Sequence, residues 1–435
     1  MPVGSCGTAG DPTQSFDNQG RLFYGFICFN RSQPTNGSTY VASYDRDGSR
    51  YVRTALVASG TPSANFAGLV QDKINLAVDQ TSGSYSGNVY VAWARYDGYS
   101  PNNVILFSRS TNHGVSFSAP VRITPALSEE QYADVAVGPD GAVYVTFRTF
   151  AAQGPTADAI WLVKSTDGGQ TFGAPRLVAS ITAFDSNQFS GNGSRDCGDG
   201  VLFACPSGLT YSRFGSLSAV AADATGVHVV WSAELPSGQA KIFVRNSSDG
   251  VTWSRPAQTL DTVSKGHQWF PDIASAAGVI RVVFYDSRSD PAYSPSLPPG
   301  DTATGHNSGN VVTTMLAQST NGGANWSESA ISSARSNFNW ETHGMQRDPF
   351  WGDYIYVSAV PGAASAAWTD SRDLVPGSDP RETGASEDND GFDVYLPCTY
   401  VPNDINASSY SSPTVADPCL SQGGLDQNIY SSTLP

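Results

Sequence analysis

One short phrase recurs along the chain and limits what it can fold into. Ser165-Thr166-Asp167-Gly168-Gly169-Gln170-Thr171-Phe172 is its cleanest copy, and Ser110-Thr111-Asn112-His113-Gly114-Val115-Ser116-Phe117 and Ser319-Thr320-Asn321-Gly322-Gly323-Ala324-Asn325-Trp326 match it position for position. Asn246-Ser247-Ser248-Asp249-Gly250-Val251-Thr252-Trp253 carries its Asp one place late, and Asp45-Arg46-Asp47-Gly48-Ser49-Arg50-Tyr51 is a worn fifth copy. Ser and Asp or Asn side chains bond back to nearby amides and hold a tight turn. Gly takes backbone angles that other residues resist. The closing aromatic re-enters a sheet and packs between layers. Each copy therefore reads as a hairpin turn with its own wedge. The copies lie about 55 to 80 residues apart, room for one four-stranded unit and a loop.

A second repeat gives the same unit. Val89-Tyr90-Val91-Ala92-Trp93, Val143-Tyr144-Val145-Thr146-Phe147 and Val227-His228-Val229-Val230-Trp231 each precede a turn phrase. Ile280-Arg281-Val282-Val283-Phe284, Ala364-Ser365-Ala366-Ala367-Trp368 and the weaker Leu22-Phe23-Tyr24-Gly25-Phe26 extend the series. Runs rich in β-branched and aromatic residues and bounded by Gly, Asp and Pro read as strands. No segment carries a sustained 3.6-residue apolar period, so little helix is expected. The reading is all-β: a six-bladed β-propeller with four-stranded antiparallel blades. It spans 1–435 as a single domain, with blades starting near 11, 72, 131, 215, 269 and 352.

With 24 Lys and Arg against 39 Asp and Glu, the net charge is -15. That disfavours nucleic acid, which is gripped through phosphates, and anionic membranes. No stretch is long and apolar enough to span a bilayer as a helix. The cysteines fall as sequence-local pairs, Cys6 with Cys28, Cys197 with Cys205 and Cys398 with Cys419, without zinc-site spacing. Three disulfides and an oxidising compartment are expected. Met1-Pro2-Val3-Gly4 is not a signal peptide, so the expectation is a secreted, extracellular chain from which a leader is missing. Scarce Lys and abundant Ala and Gly suggest a bacterial source.

In an antiparallel meander the turn phrase joins the third strand to the fourth and shares a rim with the turn between the first two. The second-to-third loops and the crossovers between blades then share the opposite rim. The long insertions collect there, over 285–309, 369–391, 180–215 and 332–353. Connections of that length commonly carry function. Tyr285-Asp286-Ser287-Arg288 and Thr369-Asp370-Ser371-Arg372 are near copies at one place in adjacent blades; Arg148 and Glu234 follow the equivalent strand elsewhere. Arg meets carboxylates in a bidentate way. The set is either a cup for an acidic or polyhydroxylated ligand or a series of Asp–Arg pairs tying loops together. Trp269 and Trp351 are either sugar platforms or wedges. Asp134 and Asp272, with Asn75 and Ser218 in equivalent places, either ring the axis or cap inner strands. His267, His306 and His343 could hold a metal, although none sits at a ligand spacing. The acidic run Glu387–Asp393 could hold a structural calcium, and no cofactor is required.

The turn phrases resemble the Asp-boxes, or BNR repeats, of the sialidase superfamily from about Tyr44 to Trp326, and the strand repeats carry the match to Trp368. The resemblance implies a six-bladed propeller with its site opposite the Asp-boxes. It also implies an Arg triad on the sugar carboxylate, a Tyr nucleophile helped by a Glu, and an Asp acid/base. Onto this sequence those roles fall on Arg148, Arg288 and Arg372, on Tyr354 and Glu234, and on Asp286 or Asp370. The family's early Arg-Ile-Pro is missing; the nearest string is Arg122-Ile123-Thr124-Pro125. The implied activity is exo-sialidase-type hydrolysis of a glycoconjugate. Two alternatives are another enzyme on acidic polysaccharide, and a non-catalytic secreted propeller that binds glycan or protein or self-assembles.

Overall fold

The computed structural model describes residues 8–30, 36–61, 69–97, 103–150, 158–184, 215–295, 299, 309–337, 351–372, 375–377, 393–395 and 428–435. They are strands, turns and loops, with no helix among them. The first sheet holds β1 (Thr8–Phe16), β2 (Leu22–Asn30), β3 (Asn36–Asp45) and β4 (Arg50–Ala58). The second holds β5 (Leu69–Val78), β6 (Val89–Asp97), β7 (Val104–Ser110) and β8 (Val121–Arg122), and a single parallel bridge, Gly37 to Val70, joins the two. The third holds β9 (Glu130–Val137), β10 (Val143–Thr149), β11 (Ala159–Ser165) and β12 (Arg176–Ser180). The fourth holds β13 (Ser218–Asp223), β14 (Gly226–Glu234), β15 (Ala240–Ser247) and β16 (Gln258–Thr259). The fifth holds β17 (Gln268–Ala276), β18 (Val279–Asp286), β19 (Thr313–Ser319) and β20 (Ser327–Ala330). In each, neighbouring strands pair antiparallel in chain order.

The sixth sheet departs from this plan. β21 (Tyr356–Val360) and β22 (Ala363–Asp370) pair as expected, but the third strand is β25 (Asn428–Leu434), which returns from the end of the chain. β23 (Val375–Gly377) and β24 (Asp393–Tyr395) form a separate hairpin. The Pro435 carbonyl accepts from Arg281 Nε at 2.9 Å and Gln318 Nε2 at 2.9 Å, which pins the returning strand to the fifth sheet.

Apolar cores lie between successive sheets. Trp93 and Leu76 pack with Phe23 and Val41 between the first and second. Phe107 and Phe147 lie between the second and third, and Trp231 and Leu162 between the third and fourth. Phe284 and Ile242 fill the next gap, Trp351, Tyr285 and Trp368 the last. Sandwiching of this kind explains why β6 and β10 read as nearly unbroken apolar runs: both faces are buried. Cys28 is disulfide-bonded, and the other five cysteines lie outside the described residues.

The turn phrases build one lock. The Ser165 hydroxyl accepts from Gly169 N at 2.9 Å and donates to Asp167 Oδ1 at 2.7 Å; that same oxygen accepts from Gln170 N and Thr171 N, each at 2.9 Å. Ser110 with Asn112 and Ser319 with Asn321 repeat it. In the fourth sheet Ser247 takes the serine place and Asp249 accepts from Val251 N and Thr252 N. That copy is therefore one residue shorter, rather than carrying a displaced Asp. The Asp45–Arg50 turn lacks the lock; an ion pair between its ends replaces it. Gly169 has φ 74°, and a Cβ there would lie 2.7 Å from the Phe107 ring, so both backbone and packing demand glycine. Phe172 meets the same ring edge-on at 4.7 Å, as the wedge reading requires.

Four amide and hydroxyl bonds hold the Asp167 carboxylate below its usual range, at about 2, against a burial effect that would raise it. Asp167→Ala should cost about 1–2 kcal/mol, the discounted sum of partly exposed charged hydrogen bonds. A folded pKa below the unfolded one means this stability is present above the unfolded value near 3.8 and lost as pH falls through 2. Urea titrations of the variant and the parent at pH 7 and pH 2.5 would show the gap closing at acid pH.

Candidate functional site

The turn tips share a rim with the turns between first and second strands. His113 lies 2.8 Å from Arg21, and a Cβ on Gly168 would fall 2.5 Å from the Tyr85 ring. On the opposite rim Ser287 Oγ accepts from His267 N at 2.8 Å and Ser371 Oγ donates to the Asn337 carbonyl at 2.6 Å. Second-to-third connections thus meet the crossovers, and Arg288 and Arg372 stand away from the turn tips.

First strands of successive sheets run side by side, and their starts carry a shared distortion. Asp11, Lys73, Tyr132 and Phe270 have φ of 49°, 53°, 58° and 48°. Each sits at a register break, where β1, β5, β9 and β17 carry an extra residue against their partners. A non-glycine residue in this region costs about 1–2 kcal/mol, and bulges of this kind re-aim side chains. Three of the four, Lys73, Tyr132 and Phe270, line a small cavity of about 60 Å³ where first strands converge. Lys73, Tyr132, Asp134, Asp272, Asp353 and Tyr354 are among its walls.

Its electrostatics follow from burial. Lys73 is 7% exposed and forms an ion pair with Asp353. Burial alone would depress its ammonium, but Asp353, Asp11 and Asp72 outweigh that and hold it above its ordinary value. Asp11 accepts from Lys73 N at 3.0 Å; burial pushes its carboxyl to about 7 although Lys73 pulls the other way. Asp134 accepts from Val220 N and Asp272 from Val357 N, both at 2.7 Å. Burial raises Asp134 to about 7 and Asp272 well above its usual range, the latter with help from Asp134. These two residues line the cavity, and each also caps the neighbouring inner strand.

Tyr354 is the one expected catalytic residue on this wall. Its hydroxyl is buried and finds no partner among the described residues. The ring stacks on Tyr356 at 5.8 Å and lies 5.4 Å from Lys73 Nζ. Burial first, then Asp11 and Asp353, raise its phenol well above the ordinary value. Tyr354 is therefore a neutral hydrogen-bonding group rather than a phenolate.

The other expected site residues are elsewhere. Asp286 Oδ1 caps Arg288 N at 2.6 Å and Oδ2 accepts from Arg288 Nη2 at 2.7 Å. Asp370 repeats this with Arg372, at 2.8 Å to the amide and 2.9 Å to Nε. The near-identical strings are thus loop staples, and neither Asp is placed to act as an acid on the axial cavity. Arg372 also stacks on Tyr430 at 4.0 Å. Arg148 is 1% exposed, pairs with Asp158 at 2.9 Å and stacks on Phe150 at 4.1 Å. The three arginines do not converge. Glu234 ends β14 and is not on the cavity wall. Trp269 and Trp351, at 0% and 1% exposure, flank Tyr285 at 5.7 and 5.2 Å as core wedges, so neither is a sugar platform. His267 accepts from Ala240 N at 3.1 Å and stacks on Phe184; His306 and His343 lie outside the described residues. So does the Glu387–Asp393 run apart from Asp393, and no cluster of three metal-binding side chains occurs among the described residues.

Lys73, Asp11, Tyr132 and Asp353 escaped the sequence reading. Strand register puts Asp11-Pro12-Thr13, Lys73-Ile74-Asn75, Tyr132-Ala133-Asp134, Phe270-Pro271-Asp272 and Tyr354-Ile355-Tyr356 in equivalent places, with Thr13, Asn75, Asp134, Asp272 and Tyr356 each opposite the fourth residue of a second-strand repeat; their unequal distances from the turn phrases hide this in the sequence.

No protein-family model matches the chain, and no curated protein matches it. Among solved structures it is similar to a Hadza microbial sialidase at 12% identity and a TM-score of 0.49, over 83% of this chain and 63% of that one. It thus spans less than two thirds of that sialidase. It is also similar to an α-L-arabinofuranosidase of Fusarium graminearum, at 10% identity and a TM-score of 0.46 over 83% and 88% of the two chains. An ulvan lyase follows at 9% identity and a TM-score of 0.44, over 84% and 80%.

Proposed function

We propose that the chain is a secreted six-bladed β-propeller, closed by its returning C-terminal strand, that binds a neutral carbohydrate at the mouth of its axis. The observation that carries this reading is the axial wall itself. A buried, unsatisfied Tyr354 hydroxyl stands beside buried carboxylates and stacked tyrosines. Carboxylates accept from sugar hydroxyls, and aromatic faces pack on sugar rings. The Asp-box resemblance of the turns supports the propeller. At about 60 Å³ the described cavity admits a hydroxymethyl arm or ordered water rather than a whole ring, so the sugar sits at its mouth.

The second reading is exo-sialidase-type hydrolysis with Tyr354 as nucleophile. It needs a cationic cradle and a base for the phenol. Among the described residues the wall offers one cation, Lys73, already paired, and the surrounding carboxylates oppose ionisation of Tyr354. Binding is therefore the stronger reading.

A glycan array run beside a fluorogenic sialoside assay separates the two. The expected outcome is retention of neutral glycans with no sialoside turnover. Tyr354→Phe should weaken array binding roughly tenfold, the worth of one buried hydrogen bond, without lowering thermal stability. Sialoside hydrolysis by the parent, lost in Tyr354→Phe, would replace the binding reading with the enzymatic one.

A further inference from the structure

A groove of about 440 Å³ beside the fifth sheet has a different chemistry. Arg288, Ser289, Thr313, Ser332, Ser333 and Arg335 line it, with the Met315 side chain among its apolar walls. Arg372 reaches its edge, donating from Nη1 to Ser333 Oγ at 2.8 Å. Three guanidiniums from three separate segments therefore gather around one hollow, in a chain with 24 Lys and Arg against 39 Asp and Glu.

The arginines are not equivalent. Arg288 is held rigidly by one corner: its Nη2 donates to Asp286 at 2.7 Å, Glu328 at 2.9 Å and Asp261 at 3.0 Å. All three carboxylates meet that nitrogen. Nε is buried without a partner, and Nη1 makes no hydrogen bond within the described residues. Burial and the adjacent Asp261 push Glu328 up to about 7, so it does not add a full negative charge at neutral pH. Arg335 is exposed and enters no ion pair among the described residues. Ser289, Ser332 and Ser333 supply short hydroxyl donors between the cations. A pre-oriented guanidinium, a second mobile one and interleaved hydroxyls suit a planar or tetrahedral oxyanion. The volume suits a monosaccharide.

We propose that this groove is a second saccharide subsite, taking a sugar that carries a carboxylate or a sulfate ester, with Arg288 and Arg335 on the oxyanion. It stands independently of the axial reading, because no residue is shared between the two walls.

Ligand-observed NMR titration tests it on the full chain carrying Tyr354→Phe, which removes the axial hydroxyl. The probes are glucuronate, glucose 6-sulfate and glucose. The expected result is saturable binding of at least one anionic sugar, tighter than any residual glucose binding, weakened about tenfold by Arg335→Ala where glucose binding is not, and weakened again by raised salt. Glucuronate alone binding assigns a carboxylate; glucose 6-sulfate binding assigns a sulfate ester. Anionic-sugar binding unchanged by Arg335→Ala, or no binding by either probe, overturns the proposal. Arg335 lies on the surface, so its loss leaves the fold intact, and the parent protein serves as the control for Tyr354→Phe.

Discussion

Lys73→Met should cost about 3–5 kcal/mol of folding stability at pH 8, the usual penalty for stripping one partner from a buried ion pair. The methylene stem is replaced almost in kind, so the loss is electrostatic. Asp353 loses the Lys73 ammonium, and the Asp11 carboxyl, which burial already raises to about 7, loses the group that lowers it. The sign of the pH dependence follows. A folded pKa above the unfolded one means Asp11 favours the native state at low pH, and that contribution fades as pH rises from about 4 through 7. In the variant the fall should be steeper, because nothing offsets the ionised carboxylates. The deficit should therefore be largest at pH 8 and shrink toward pH 5. Guanidinium titrations of both proteins across that range give the curve; a deficit independent of pH would show that Lys73 acts by packing alone.

Trp351→Ala should cost about 3–5 kcal/mol, the range for large-to-small changes at a buried aromatic. Trp351 meets Tyr285 at 5.2 Å, and the Tyr285 hydroxyl donates to the Thr369 carbonyl at 3.0 Å, so the cavity would open at the joint between the fifth and sixth sheets. Thermal unfolding should show the loss, while glycan binding by the protein that remains folded stays at the parent level. Loss of binding with unchanged stability would restore Trp351 as a ligand platform.

What the sequence made legible was local. The Ser165–Asp167 lock is written in eight consecutive residues, so the turns, the strands that lead into them and the rim they occupy could be read directly. The paired strings at Asp286 and Asp370 were visible too, but their meaning was not. Whether a guanidinium faces a ligand or a neighbouring carboxylate depends on Asp261, Glu328 and Ser333, which lie 27, 40 and 39 positions away in sequence. Trp269 and Trp351 were open for a related reason: a tryptophan at or shortly before the start of a strand reads the same whether its face meets water or Tyr285. Lys73 was hidden by the bulge. A plain alternating strand would turn it differently, and only the extra residue, with its φ of 53°, aims it at the axis. The third strand of the sixth sheet, Asn428–Leu434, lies more than fifty residues beyond β22, yet it left a trace in the sequence: Asp426-Gln427-Asn428-Ile429-Tyr430 echoes Gly391-Phe392-Asp393-Val394-Tyr395, an echo that points to a strand contributed by the end of the chain.

The bonds between inner strands carry a consequence for how such a chain could change in length. Asp11 reaches from the first sheet to Lys73 N in the second, Asp134 from the third to Val220 N in the fourth, and Asp272 from the fifth to Val357 N in the sixth. Deleting the second, fourth or sixth sheet alone would strand one buried carboxylate, and deleting the first, third or fifth would strand its amide, at a cost of roughly 1–3 kcal/mol. Gain or loss of a bonded couple, the third and fourth sheets for example, would leave the other two bonds intact, so length change in such a chain is least costly when it respects these couples.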